Sequence, residues 1–213
     1  AVLRGNLDLL KIAQKKADPV PAAPLKRMHE AIIRLTEIIE VSLQRDRLSG
    51  DPIELSPLPL DARQLVDEAV QIARSAYPGR EVNLVQRSGS GDLIIPADAP
   101  LLKTALINLV ENALKYSPDN APVEITLALS VDDMVSITIA DHGIGIQPKD
   151  RPFIFDKYYR AANATGRSGA GVGLYLVRVI VTAHGGNVMV ASSPQGSQFT
   201  VTLPLAQTTN GAT

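Results

Sequence analysis

The chain has 213 residues, 45% of them apolar and 20% charged, which is enough for a packed core and too apolar for a disordered segment. A formal net charge of −1 argues against a nucleic-acid backbone as the main partner. The absence of cysteine excludes disulfides, thiolate catalysis and thiolate-bound zinc. The three histidines, His29, His142 and His184, are too scattered for a metal cage. No apolar run approaches the ~18 residues of a membrane span, and no signal peptide is visible. The chain opens at Ala1 inside an apolar-periodic pattern and reads as a soluble piece of something longer.

Residues 1–50 hold nine Lys/Arg against six Asp/Glu, while eight of the fifteen glycines crowd between Gly143 and Gly186. The first segment reads as a helical hairpin. Leu3, Leu7 and Leu10 recur at helical spacing, and Pro19, Pro21 and Pro24 form a stiff loop. Leu25, Met28, Ile32, Leu35, Ile39 and Ser42 then follow a 3-4-3-4-3 seam. Two helices cannot bury such seams alone, so a homodimeric four-helix bundle is expected, with packing on the rest of the chain as the alternative.

A linker runs through Ser49-Gly50-Asp51-Pro52 and Ser56-Pro57-Leu58-Pro59, around a short strand expected at Ile53–Leu55. Asp61 and Gln64 suggest a capping box opening a helix to Ala76, ended by Tyr77-Pro78-Gly79. Strands are expected at Val82–Gln86 and Leu93–Ile95, then a helix from Pro100 to Lys115 capped by Asp98. Val123–Leu129 and Met134–Ala140 alternate in period two and predict a hairpin. A helix over Val172–Ala183, closed by Gly185, precedes a final hairpin of Val188–Ala191 and Gln198–Leu203. The mixture lacks strict βαβ alternation, which predicts an α+β sandwich: one mixed sheet with helices on one face. The boundaries expected are 1–50, 51–206 and a tail at 207–213.

Three clusters carry chemistry. Asn108, Asn112 and Lys115 lie at i, i+4 and i+7, so they share a helical face. Two hard amide oxygens and an ammonium suit hydrated Mg²⁺ and its phosphates, although an ordinary polar helix face has the same pattern. Asp141-His142-Gly143-Ile144-Gly145-Ile146 ends an apolar strand with a carboxylate, an acceptor for an exocyclic amine, beside close-approaching glycines; many strand-ending turns look similar. Gly169-Ala-Gly171-Val-Gly173-Leu174 opens a helix, whose N-terminal amides and dipole suit an anion. No Lys-Ser/Thr follows it, so it is not a P-loop, and the polar stretch Ala161–Ser168 before it reads as a mobile lid.

In this order and spacing the clusters resemble the N box and the two glycine boxes of the ATP-binding domain shared by sensor histidine kinases, DNA gyrase B subunits and heat-shock ATPase chaperones. Phe153-Ile-Phe155-Asp-Lys-Tyr158-Tyr-Arg160 resembles the F box, which points within that superfamily to histidine kinases. Pro194-Gln-Gly196-Ser-Gln-Phe199-Thr200 to Pro204 fits the ending, and the leading hairpin resembles the dimerisation and histidine-phosphotransfer domain.

The resemblance implies ATP or ADP with Mg²⁺. Asp141 would contact the adenine amine, and Asn108 and Asn112 would hold the metal. Lys115 and Tyr116 would line the phosphate and sugar side, and Gly171, Gly173 and Leu174 the triphosphate, with Arg160 a further phosphate contact. Gly143, Gly145, Ile146, Phe155, Tyr158, Gly169, Val172 and Thr200 belong to the same implied set. It further implies a homodimer, a response-regulator receiver domain as partner, no nucleic acid, and a cytoplasmic location with membrane attachment only through segments absent from this chain. γ-Phosphoryl transfer to a histidine is mainly positioning and charge neutralisation, so Glu111 need not act as a water-activating base.

The sequence departs from that pattern at the acceptor: no His-Glu-Leu-Arg-Thr-Pro-Leu motif occurs. Ala1–Leu10 resembles the stretch after it, so the chain is expected to begin past the acceptor and not to autophosphorylate. His29-Glu30 lies on the second helix without the Leu-Arg-Thr-Pro continuation and reads as a solvated surface pair. His142 reads as a turn residue and His184 as a helix C-terminal residue. Two other classes stay open: an ATP-hydrolysing conformational machine with turnover dependent on Glu111, and a dimerisation module with a vestigial nucleotide site.

Overall fold

The computed structural model describes residues 54–86, 93–130, 134–164 and 171–206. The helical hairpin, its proposed dimer seam and His29 lie outside the described residues, as do Gly169, the turn at Val131-Asp132-Asp133 and the tail.

The described elements run β1 (Leu58–Asp61), α1 (Ala62–Ala76), β2 (Val82–Gln86), β3 (Ile94–Ala97), α2 (Ala99–Tyr116), β4 (Val123–Leu129) and β5 (Met134–Ala140). A 3-10 turn (Ala162–Ala164), α3 (Gly173–Ala183), β6 (Asn187–Ser193) and β7 (Gly196–Pro204) follow. Five strands form a mixed sheet in the order β2-β4-β5-β7-β6, while β1 and β3 form a separate antiparallel pair. β2 is parallel to β4 and every other neighbour is antiparallel.

Period-two patterning decides which sheet face is covered. Ile125, Leu127, Ile137, Ile139, Phe199, Val201 and Leu203 point to the helices and are buried. The alternate positions form the opposite face, where Val85, Thr126, Thr138, Thr200 and Met189 fall in one cross-strand row. That face is mostly polar or small, as an antiparallel sheet with one covered face requires. The helices supply the matching stripes: Leu65, Val66, Ala69, Val70 and Ala73 on α1, and Leu102, Ala105, Leu106, Leu109, Val110, Ala113 and Leu114 on α2. Each fully buried Leu or Ile contributes roughly 1.5–3 kcal/mol. This is the α+β arrangement the sequence predicts.

Two local expectations are corrected. The early strand is β1, inside the Pro-containing linker, because Leu58–Asp61 finds a partner in β3 with Leu58 opposite Ala97. The capping box is half-formed: Asp61 accepts from the Arg63 N–H, while Gln64 turns away and donates to Glu68. Of the stretch read as a lid, residues 161–164 hold a 3-10 turn in which Ala164 is buried and Asn163 Nδ2 donates to Gly145 O at 2.9 Å, and residues 165–168 lie outside the described residues.

His184 does more than end α3. It is 7% exposed; Nδ1 bonds Ile180 O at 2.8 Å, and Nε2 accepts from the Asp98 N–H at 3.0 Å. A carbonyl only accepts and an amide N–H only donates, so the ring is neutral with its proton on Nδ1. Asp98 in turn caps α2 through Leu101 N–H and accepts from Ser56 N–H, so one imidazole ties the end of α3 to the start of α2. We expect His184→Ala to lower the unfolding free energy by about 3 kcal/mol in urea titration, since it orphans the Asp98 N–H and opens a cavity, while Ile180 O keeps the backbone N–H of residue 184.

Candidate nucleotide-binding site

α2 ends against the strand tip that carries Asp141. Ser117, the C-cap of α2, is buried, and its Oγ accepts from His142 N–H at 3.2 Å. Gly143 lies so close to the helix end that a Cβ there would sit 2.6 Å from Tyr116 O and 2.7 Å from Asp141 Oδ1. α3 begins against the same helix about two turns earlier: a Cβ on Gly173 would lie 2.8 Å from Asn108 Oδ1. α2 therefore touches both glycine segments, and its polar face runs between them.

Each side chain is set by its element. Asn108 Nδ2 donates to Thr104 O at 3.0 Å, one turn back, which leaves Oδ1 directed at the start of α3. Asn112 lies one turn further along and is half-buried, as is Asn108. Lys115 Nζ stands 5.2 Å from the centroid of the Tyr116 ring. The α3 N-terminus has Val172 as its cap residue and no side-chain hydrogen bond to its first amides. Those amides, with the helix dipole, attract negative charge.

Asp141 follows β5 on the helix-facing side and is 8% exposed. Its N–H donates to Ser197 O at 2.8 Å, and Oδ1 accepts from Gly143 N–H at 2.7 Å. Among the described residues Oδ2 has no hydrogen-bond donor, so a donor from outside can be accepted there. Burial pushes the carboxyl pKa up; hydrogen bonding with the backbone at Gly143 and Ser197, and nearby His142, pull it back. A desolvated carboxylate with one oxygen committed is a directional acceptor for an amine.

The remaining expected residues divide. Ile146 donates its N–H to Ser192 Oγ at 2.8 Å and packs on the core, and Gly145 is held through its carbonyl by Asn163. Tyr158 is exposed with φ +67°, an uncommon conformation for a residue with a Cβ. Its N–H donates to Gly171 O at 2.9 Å, joining the aromatic segment to the glycines before α3. Val172 is buried and Leu174 packs against the core. Arg160 is exposed and reaches Ala164 O at 3.4 Å.

Two residues do not join the group. Phe155 is buried in the core, edge-on to Phe199 at 6.3 Å. Thr200 stands on the uncovered sheet face with Thr138, their hydroxyls 3.2 Å apart, because β7 alternates and its inward positions are Phe199 and Val201.

The inward position nearest Asp141 is Ser197, which is buried, with Oγ 3.0 Å from Ser192 Oγ. Ser197 and Ser117 were missed in the sequence. The signal for Ser197 was parity, since it lies two residues before the inward Phe199. Nothing local marks Ser117, whose role depends on where β5 ends.

The donor set fits a nucleotide with a divalent ion: neutral hard oxygens on α2, a buried acceptor at the strand tip, and helix-terminal amides opposite. Among the described residues no group of three His, Cys, Asp or Glu could hold a metal, so any metal here would depend on amide oxygens and ligand phosphates.

Residues 97–207 match the family described as histidine kinase-, DNA gyrase B- and HSP90-like ATPase. The signal transduction histidine-protein kinase/phosphatase MprB of Mycolicibacterium paratuberculosis is 30% identical over 95% of this chain and 40% of its own length. The histidine protein kinase DivJ of Caulobacter vibrioides is 33% identical over 84% of this chain and 30% of its own. The chain thus spans well under half of either relative. The crystal structure of full-length ShkA in complex with AMPPNP superposes with a TM-score of 0.70 at 27% identity, covering 87% of this chain and 39% of that one. The chain belongs to the histidine kinase-, DNA gyrase B- and HSP90-like ATPase family, and its named relatives there are histidine protein kinases.

Proposed function

We propose that residues 51–206 bind Mg-ATP and, in the whole protein, transfer the γ-phosphoryl group to a histidine and onward to a response-regulator aspartate. One observation carries this reading: α2 abuts both the Asp141 turn and the start of α3, so the amide oxygens, the buried carboxylate and the helix-terminal amides border one region. ShkA, similar over most of this chain, is crystallised with AMPPNP, which supports an adenine nucleotide as the ligand.

Asp141 accepts the adenine amine at Oδ2, and Asn108 and Asn112 present Oδ1 atoms to Mg²⁺, with Lys115 and Tyr116 beside them. The start of α3, from Gly171 to Leu174, receives the phosphates. The metal, when bound, neutralises phosphate charge; the chain's own residues orient the nucleotide. Residues 1–50 are proposed to be the dimerisation hairpin, 207–213 a tail, and a receiver domain the downstream partner. We place this portion in the cytoplasm; no described helix is long and apolar enough to cross a membrane.

Titration calorimetry tests the reading. ADP should bind with magnesium, and chelation of the metal should weaken binding at least roughly tenfold. Absence of binding by folded protein would favour a vestigial site. With γ-labelled ATP the 213 residues should gain no acid-labile label. Label lost on His29→Ala would overturn the reading of His29, and steady hydrolysis lost on Glu111→Ala would favour a hydrolytic machine.

A further inference from the structure

Arg80 lies in no motif, between the turn that ends α1 and the start of β2, yet its side chain crosses to the far end of α2. Nη1 donates to Leu114 O at 2.9 Å and to Asp119 Oδ1 at 3.0 Å, and Nη2 donates to Pro118 O at 3.0 Å. Its backbone N–H donates to Tyr77 O at 3.1 Å, which anchors the stem of the arginine. Nε is buried and has no partner among the described residues.

The sequence explains why a guanidinium is needed here. A helix leaves its last carbonyls without intrahelical donors. The residue four beyond Leu114 is Pro118, which has no N–H to offer. Arg80 stands in for the missing donor, at the helix end where a cation is favoured, and its planar fork reaches three acceptors together.

These acceptors are unequal. The Asp119 side chain is 99% exposed, so that ion pair contributes little; the arginine side chain is only 12% exposed, so the two carbonyls hold it. A buried guanidinium with an orphaned donor is costly, so the arrangement is better explained by what it holds in place than as a gain in stability.

What it holds is the turn that carries one wall of the site. Ser117, next to Pro118, receives the His142 N–H, and Tyr116 O packs on Gly143. Movement of Pro118 moves Ser117, and with it the Asp141 turn relative to Asn112 and Lys115.

We propose that Arg80 is a positioning residue for the nucleotide site, clamping the end of α2 through Leu114 and Pro118 so that Ser117 and Tyr116 hold the Asp141–Gly143 turn in register. The proposal rests on the nucleotide reading above, but half of its test needs no nucleotide.

The test uses the full chain, wild type against R80Q, R80K and D119N, at a temperature where thermal scans show each folded. Amide spectra without nucleotide should show His142 and Gly143 displaced in R80Q and β6 amides unmoved. ADP with magnesium should bind R80Q roughly tenfold more weakly than wild type, R80K between the two, and D119N like wild type. R80Q that binds like wild type would overturn the proposal, as would unmoved His142 and Gly143 amides. If R80Q does not fold, R80K is judged by the same criteria. Failure of the wild type to bind would sink the nucleotide reading, while the amide shifts would still decide whether Arg80 holds the turn.

Discussion

Asp141→Asn should leave the domain folded and weaken adenine-nucleotide binding by about a hundredfold, ~2.8 kcal/mol. The carboxylate can only accept, and its Oδ2 is left for a donor by the Gly143 N–H bond at Oδ1. An asparagine amide must place its NH₂ either against the Gly143 N–H or toward the incoming amine, and either choice sets donor against donor. Loss of charge adds to this, since hydrogen bonds to ionised groups contribute about 1.5–3 kcal/mol.

Stability should move the other way. Burial raises the Asp141 pKa in the folded state, so the folded chain holds this proton more tightly than the unfolded chain. The stability it contributes is complete below the unfolded pKa and is lost as pH rises through the folded value. At neutral pH the ionised carboxylate is therefore a burden that the amide removes. Thermal scans should show the variant at least as stable as wild type at pH 7, with the difference shrinking as pH falls. Nucleotide affinity of the wild type should decline as pH falls through the raised pKa, and that decline should vanish in Asp141→Asn. Equal binding by both proteins would remove Asp141 from the adenine position.

Gly143→Ala should damage both fold and site. The added Cβ would meet Tyr116 O at 2.6 Å, Asp141 Oδ1 at 2.7 Å and the Tyr116 carbonyl carbon at 2.8 Å. Two of the three are backbone at the end of α2, so no rotamer change relieves them, and α2 must part from the strand tip. Overpacking of this kind costs about 1–3 kcal/mol. Affinity for ADP with magnesium should fall well over tenfold, because the two walls separate.

Gly173→Ala is the informative contrast. Its new methyl would meet only the Asn108 amide, at 2.8 Å, which can swing aside. The unfolding midpoint should stay nearly unchanged while the magnesium dependence of binding weakens. Equal loss of stability in both variants would show that the Asn108 contact is rigid and would refute this distinction.

Element identity was legible wherever local rules act alone. β2, β4 and β5 fall where the alternation places them, and α2 begins beyond Asp98 because a carboxylate cap is read by backbone amides four residues away at most. β1 was misplaced because an edge segment with prolines becomes a strand only when β3 pairs with it. The glycines at 143 and 173 were visible as breakers of pattern. What each must avoid, Tyr116 O in one case and Asn108 in the other, was not.

By itself the order of residues determined that α2 presents two amides on one side, that a carboxylate ends an apolar strand and that glycines open the last helix, because these depend on helical and pleated periods. Only the tertiary structure decided that Ser197 and not Thr200 lies beside Asp141, that Phe155 belongs to the core, that His184 bridges the end of α3 to the start of α2, and that Arg80 completes a helix 34 residues away. Each of those depends on cross-strand register or on backbone groups left unpaired by the packing of distant segments. A one-residue change of parity or a missing proline N–H reveals its partner only after the chain has closed around it.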